Sequence, residues 1–85
     1  MKGFSAGGKD ILVANIDGKY YAIGGKCTHM HGDLSKGKLE GKVVTCPRHG
    51  SRFDVTTGSR LAGPAKSNEP VYELRVDGKS IKVGI

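Results

Sequence analysis

The sequence has no tryptophan, three prolines and two cysteines in 85 residues, and only 6% of it is aromatic. No run approaches the roughly 18 apolar residues of a membrane-crossing helix. No segment carries the apolar period of about 3.6 residues that marks an amphipathic helix, which excludes a helical bundle. Two cysteines are too few for a disulfide-dense secreted scaffold, and at most a single Cys27–Cys46 bridge could form. The opening residues Met1–Gly8 lack the apolar core of a secretory signal. Neither a Ser-His-Asp set nor a glycine-rich loop for cradling phosphate is present, so hydrolase and nucleotide-binding chemistry find no support.

What the chain has in quantity is glycine, 14 residues, and positive charge, a formal +6. Hydrophobic residues make up 36%. A chain of this length forms one domain and buries only about 60% of its unfolded surface, so its core is marginal and a bound metal group would help to hold it. The lysines, among them Lys19, Lys26, Lys36, Lys38, Lys42, Lys66, Lys79 and Lys82, are scattered. They form no helical stripe and no aromatic-interleaved patch, so a basic surface that steers an acidic protein partner is favoured over nucleic-acid binding.

Read in order, Ile11–Ile16 is a short strand rich in branched residues. Asp17-Gly18 follows as a two-residue hairpin turn, and Lys19–Ile23 is the return strand. Gly24-Gly25 would let the backbone turn sharply where the next loop leaves. Lys36-Gly37-Lys38 and Glu40-Gly41-Lys42 read as turns, Val43–Thr45 and Ser51–Asp54 as strands, Thr56–Ser59 as a turn and Gly63-Pro64-Ala65 as a rigid turn. Val71–Val76 and Lys79–Val83 form a second hairpin around Asp77-Gly78. The expected fold is all-β: a single domain over residues 1–85, a small sandwich or barrel, with a small sheet of about residues 25–65 inserted between strands of a larger base. Met1–Gly8 is glycine-rich and is either a truncated first strand or a frayed end.

The chemistry concentrates in two short stretches, Cys27-Thr28-His29 and Cys46-Pro47-Arg48-His49. Each brings one soft sulfur donor and one imidazole, and together they make a four-coordinate metal set. The same four residues could hold one zinc ion in a Cys₂His₂ site or a two-iron cluster with two histidines on one iron. Zinc modules commonly use C-x₂₋₄-C followed by H-x₃₋₅-H. Here each loop mixes the two donor types, as C-x-H and C-x-x-H, which suits two irons. Ligand spacing beside each cysteine favours free thiolates in a reducing compartment, and the cytoplasm follows as the default. His31 offers an alternative to His29 in the first loop.

These stretches, with Gly50, Ser51-Arg52-Phe53-Asp54 and Thr57-Gly58 after them, closely resemble the Rieske [2Fe-2S] family, over about Ile11 to the C-terminus. The resemblance implies a [2Fe-2S] cofactor held by Cys27, His29, Cys46 and His49, with both cysteines on one iron and both histidines on the other. It places Pro64 in a loop that covers the cluster. It places Arg48, a cation, near the cluster, where it would favour the reduced state. High-potential members carry two further cysteines at positions that correspond to Gly32 and Arg48, and a Ser and a Tyr that hydrogen-bond to the cluster sulfurs. Ser51 keeps the first of these, and Phe53 stands at the second without a hydroxyl. Histidine ligation gives a window of roughly −150 to +300 mV, and the missing hydrogen bond and disulfide imply a potential at its low end, as in ferredoxins of dioxygenase systems.

The implied function is a soluble one-electron carrier, not an enzyme. It passes electrons from a reductase to an oxygenase or similar acceptor, docking near His29 and His49 against acidic surfaces. It needs neither nucleic acid nor membrane. Two other readings remain open on the residues. One is a Rieske-like subunit or fragment of a redox enzyme, such as a nitrite reductase small subunit or the N-terminal part of a ring-hydroxylating oxygenase. The other is a Cys₂His₂ zinc module that binds nucleic acid.

Overall fold

The computed structural model describes residues 1–28, 32–48, 50–77 and 80–84. Nine strands are assigned among them: β1 (Lys2–Ala6), β2 (Lys9–Ile16), β3 (Lys19–Gly24), β4 (Lys38–Glu40), β5 (Val43–Thr45), β6 (Arg52–Asp54), β7 (Arg60–Ala62), β8 (Val71–Asp77) and β9 (Ser80–Gly84). A 3₁₀ turn at Leu34–Lys36 is the one helical piece among the described residues. The strands form two antiparallel sheets, five strands in the order β1-β2-β3-β8-β9 and four in the order β4-β5-β6-β7.

The base sheet is built from hairpins. At the β2–β3 turn both Asp17 (φ 52°) and Gly18 (φ 86°) lie in the left-handed region, the geometry that an Asp-Gly pair adopts most readily and that matches the twist of the flanking strands. The register then sets Leu12 opposite Ile23 and Ala14 opposite Tyr21. The open question at the N-terminus is resolved: β1 is a formed strand that pairs with β2 from Lys2↔Val13 to Ala6↔Lys9 through a Gly7-Gly8 turn with positive φ at both positions. Asp77-Gly78 was expected to turn the last hairpin. Gly78 and Lys79 lie outside the described residues, but β8 and β9 pair from Glu73↔Gly84 to Asp77↔Ser80.

β3 and β8 are neighbours in the base sheet, with Ala22 opposite Tyr72 and Ile23 opposite Val71. Everything from Gly25 to Pro70 therefore leaves and re-enters the base at one place. Two of the module strands, β4 and β7, were not read from the sequence. Both are only three residues long, and β4 lies between two segments that carry turn chemistry. At Gly37 the need is space: a Cβ there would run into the carbonyl oxygen of Thr45 across the sheet.

One core joins the sheets. Leu12, Ala14 and Ile23 from the base meet Leu34, Val44, Phe53, Val55 and Ala65 from the module, and Cys27 and Cys46 belong to the same cluster. Phe53 is the largest fully buried side chain. Burying a side chain of this kind is worth about 1.5–3 kcal/mol, so the module is anchored by a few residues.

Candidate metal centre

The two loops that carry the cysteines are built alike. Cys27 N–H donates to Gly32 O at 2.7 Å, and Cys46 N–H donates to Ser51 O at 2.8 Å. Each cysteine thus pinches off a loop that closes on the fifth residue after it. The first loop is closed further by the bridge between Lys26 and Asp33 and by Leu34 N–H on Gly25 O at 2.9 Å. The second turns through Gly50, whose φ of 78° is left-handed and whose N–H reaches Cys46 O at 3.2 Å.

The loops touch each other at Gly32. A Cβ on Gly32 would stand 2.7 Å from Cys46 Sγ and 3.2 Å from Arg48 Cγ. A side chain there would occupy the space beside the thiol. Both cysteines are free and buried, with 1% and 3% exposure. The sequence allowed a disulfide between them; the structure leaves two thiols. Buried sulfur beside a glycine and inside an apolar shell is suited to holding a soft metal centre away from water.

His29 and His49, and with them Met30 and His31, lie outside the described residues. Among the described residues no group of three or more metal-ligating side chains comes together. The donor set itself fits a two-iron cluster: two buried, unpaired thiols belong to one core cluster, and a histidine follows each in the chain, two and three residues on.

The expected supporting residues are all close to these loops. Ser51 is fully buried, and its Oγ accepts from Ala65 N–H at 3.0 Å. Because the oxygen is used as an acceptor, the hydroxyl hydrogen stays available to donate elsewhere. Ala65 directly follows Pro64, which is exposed, with a cis bond between Gly63 and Pro64. That bond to Ser51 fastens the proline loop to the second cysteine loop. Arg48 is exposed at its end while its stem lies over Gly32. Phe53 is fully buried in the core.

Gly24 and Gly25 serve a different purpose from the sharp turn expected of them. Neither has a positive φ. A Cβ on Gly25 would meet the backbone of Ile11 at 2.9 Å, and one on Gly24 would meet Glu69 Oε1 at 2.6 Å and Pro70 Cδ at 3.0 Å. They are small because two other segments pass close to them.

Sequence reading missed the brace formed by the segment after the proline loop. Thr28 Oγ1 donates to Ser67 O at 2.8 Å, which ties the first loop to it. Glu69 is buried at 4% exposure, its N–H donates to Gly58 O at 2.8 Å, and its Oε2 has no hydrogen-bond partner among the described residues. Burial pushes the Glu69 carboxyl up to about 7, against a smaller pull from the Thr28 backbone N–H. Nothing in Asn68-Glu69-Pro70 marks that glutamate as buried; the pattern is that of a solvated loop. Two aspartates in the module behave in the opposite way. Asp33 is held below the usual carboxylate range, first by the Ser35 hydroxyl. Burial would raise Asp54, but hydrogen bonds from the Thr56 hydroxyl and backbone N–H, together with Lys42 at 3.4 Å, bring it below that range.

Comparison with known proteins fits this geometry. Residues 1–76 match the Rieske [2Fe-2S] domain. The ferredoxin component of the naphthalene 1,2-dioxygenase system of Pseudomonas aeruginosa is 34% identical over 83 residues, which is 98% of this chain and 80% of that protein. The ferredoxin component of biphenyl 2,3-dioxygenase from Rhodococcus jostii is 34% identical over 85 residues, 100% of this chain and 79% of that one. Among solved structures, the ferredoxin of carbazole 1,9a-dioxygenase from Nocardioides aromaticivorans superimposes with a TM-score of 0.90 at 32% identity, over 96% of this chain and 81% of that chain. With paired cysteine loops around two buried thiols and a family match over most of its length, the chain belongs to the Rieske [2Fe-2S] domain family.

Proposed function

We propose that this chain is a soluble Rieske-type ferredoxin of the cytoplasm that accepts one electron from a reductase and delivers it to an oxygenase. The observation that carries the reading is the pair of matched loops with their two buried, unpaired thiols, in a chain similar over nearly all its length to ferredoxin components of dioxygenase systems. One solved neighbour, similar at a TM-score of 0.88 and 32% identity, is described as a complex of reduced oxygenase and oxidised ferredoxin in carbazole 1,9a-dioxygenase. Cys27 and Cys46 would hold one iron of a [2Fe-2S] cluster, and His29 and His49 the other. When bound, the cluster supplies a reversible one-electron couple.

The rest is the work of the chain. Cys27 and Cys46 are each clamped by their own N–H bond to the far end of their loop, and both are buried in the same core cluster, from which they would present their thiols to one iron. Ser51 keeps a hydroxyl hydrogen free beside the second loop, Pro64 forms the loop fastened to it through Ala65, and Arg48 lays its aliphatic stem beside Gly32. A single domain, with residues of about 25–65 as the cluster module, is the organisation this implies. The formal charge of +6 favours acidic partners docking near His29 and His49.

The test is electron delivery. Photoreduced or reductase-reduced protein is mixed with an oxidised Rieske oxygenase in a stopped-flow instrument, at rising salt. The reading requires reoxidation of the protein coupled to reduction of the oxygenase, with a rate that falls as salt rises. Reduced protein that passes no electron to any Rieske oxygenase, while a ferredoxin component does so under the same conditions, would refute it.

A further inference from the structure

Two carboxyls that the electron-carrier reading leaves unused are buried among the described residues, Asp54 and Glu69. Asp54 is satisfied by Thr56 and Lys42, whereas Glu69 has an oxygen without a partner among the described residues. Its carboxyl sits where a side chain on Gly24 would otherwise be, with Oε1 2.6 Å from that Cβ position. Its backbone is fixed on Gly58: a Cβ at Gly58 would run into the Glu69 carbonyl oxygen, and Glu69 N–H donates to Gly58 O at 2.8 Å. The next residue, Pro70, accepts Gly24 N–H at 2.9 Å, which seals the segment to the end of β3. The Thr28 backbone N–H lies close enough to the carboxyl to favour its charged form. Thr28 is the residue between Cys27 and His29, and its hydroxyl is bonded to Ser67 O on the same segment as Glu69. A buried carboxyl with one oxygen unpartnered among the described residues is costly to keep. An apolar side chain would fill the place without that cost.

We propose that Glu69 is a positioning residue of the cluster site, which holds the first ligand loop through Thr28 and sets a buried negative charge behind it that opposes the arrival of the electron. The proposal rests on the cluster reading above. A negative charge in a poorly solvated place destabilises the reduced, more negative state of a nearby centre more than the oxidised one, so it lowers the reduction potential. Gly24 lies against the carboxyl, and among the described residues no charged group acts on it, only the Thr28 backbone N–H. His29 and His31 follow Thr28 in the chain, and Lys26 precedes it; all three are the same residues in the parent protein and in the Glu69 variants.

The experiment compares the parent, E69Q and E69D after iron and sulfide content has been measured in each. Absence of cluster in the parent would overturn the family-based reading and this proposal with it, and that result is seen before any variant is made. With the cluster present, potentials are measured by dye equilibration at about pH 9 and about pH 5.5, on either side of the carboxyl's titration. At the higher pH, E69Q is expected to be severalfold more reduced than the parent at the same solution potential, and E69D is expected to stay close to the parent. At the lower pH the three are expected to converge, because the parent's carboxyl is then neutral. Equal potentials for parent and E69Q at both pH values would overturn the proposal, and so would an offset that is the same at both, since that marks a structural effect only. Should E69Q fail to take up iron, the infrared difference spectrum of the parent on reduction decides: a perturbed carboxylate band at about pH 9 that is lost at about pH 5.5 supports the proposal, and its absence overturns it.

Discussion

The base sheet and the cluster module are made by different physics. In the base, strands of five to eight residues pair within their hairpins over five or six residues, β1 to β3 joined by tight turns with positive φ, and they bury Ile11, Leu12, Ala14, Ala22 and Ile23. In the module every strand is three residues long, and much of the order comes from polar bonds: within turns, from Ser35 to Asp33 and from Thr56 to Asp54, and between loops, from Ala65 N–H to Ser51 and from Thr28 to Ser67 O. A hairpin sheet with an apolar face is close to self-sufficient. A set of loops that small is not, and ligation energy can supply what is missing. The comparison teaches that the long pairings lie in the part that does no chemistry, and it predicts that the site depends on its cofactor for stability.

The sharpest way to break the comparison is to remove the ligands. Cys46→Ser is expected to abolish iron binding and to cost the module several kcal/mol, so that amides of β5 and β6 exchange quickly while those of β2 and β3 stay protected. Hydrogen exchange read by mass spectrometry checks this, and equal loss of protection in both sheets would show that the base also depends on the cluster.

A pair of glycine substitutions separates the regions next. Gly32→Ala puts a methyl group 2.7 Å from Cys46 Sγ and is expected to cost about 1–3 kcal/mol and to lower iron content by more than half. Gly18→Ala meets no neighbour within 4 Å but must keep a φ of 86°, so it is expected to cost about 1 kcal/mol with iron content unchanged. Thermal melts beside iron assays distinguish the two; loss of iron in Gly18→Ala would mean that strain in the base reaches the site.

Acid should act on the module more than on the base. Asp54 titrates below its unfolded value, so its contribution to stability is present above about pH 4 and is lost as the pH falls through the folded value. Asp54→Asn is expected to lower the melting temperature at about pH 7 by several degrees and to flatten its fall below about pH 4. Glu69 has the opposite sign: a raised carboxyl favours the folded state as pH falls from about 7 toward its unfolded value, so E69Q should remove a gain in stability on mild acidification. A melting profile of Asp54→Asn parallel to that of the parent would contradict the assignment to Asp54.

The smallest expected effect is on the electron itself. Ser51→Ala leaves both cysteines in place and removes one hydroxyl, so the protein should keep its cluster and its potential should fall modestly. It also removes the acceptor of Ala65 N–H, at about 1–3 kcal/mol. An unchanged potential would place the Ser51 hydroxyl away from the cluster.

The same division explains what could be read in the sequence. Ile11–Ile23 was legible because a run rich in branched residues meets the Asp17-Gly18 turn signal. Val71–Val76 was legible for its alternation. The cysteine loops were legible because metal donors at short spacing are rare by chance. β4 and β7 were not, since three residues carry no period, and the glycines near them answer to backbone contacts that only the folded chain creates. The likeness of the two loops in their N–H bonds was hidden as well: Gly32 and Ser51 share no residue type, and what they share is a carbonyl oxygen. Glu69 was invisible for a related reason, because a glutamate before a proline in a polar segment reads as solvated, and only the absence of a side chain at Gly24 makes room for it.

The central claim is that four residues in two matched loops hold a two-iron cluster. It is tested most directly by iron and sulfide analysis together with the EPR spectrum of the dithionite-reduced protein. The account predicts two irons and two sulfides per chain, about as many as one cluster requires, and a low average g value that marks nitrogen-ligated iron. One zinc per chain with no EPR signal on reduction would contradict it.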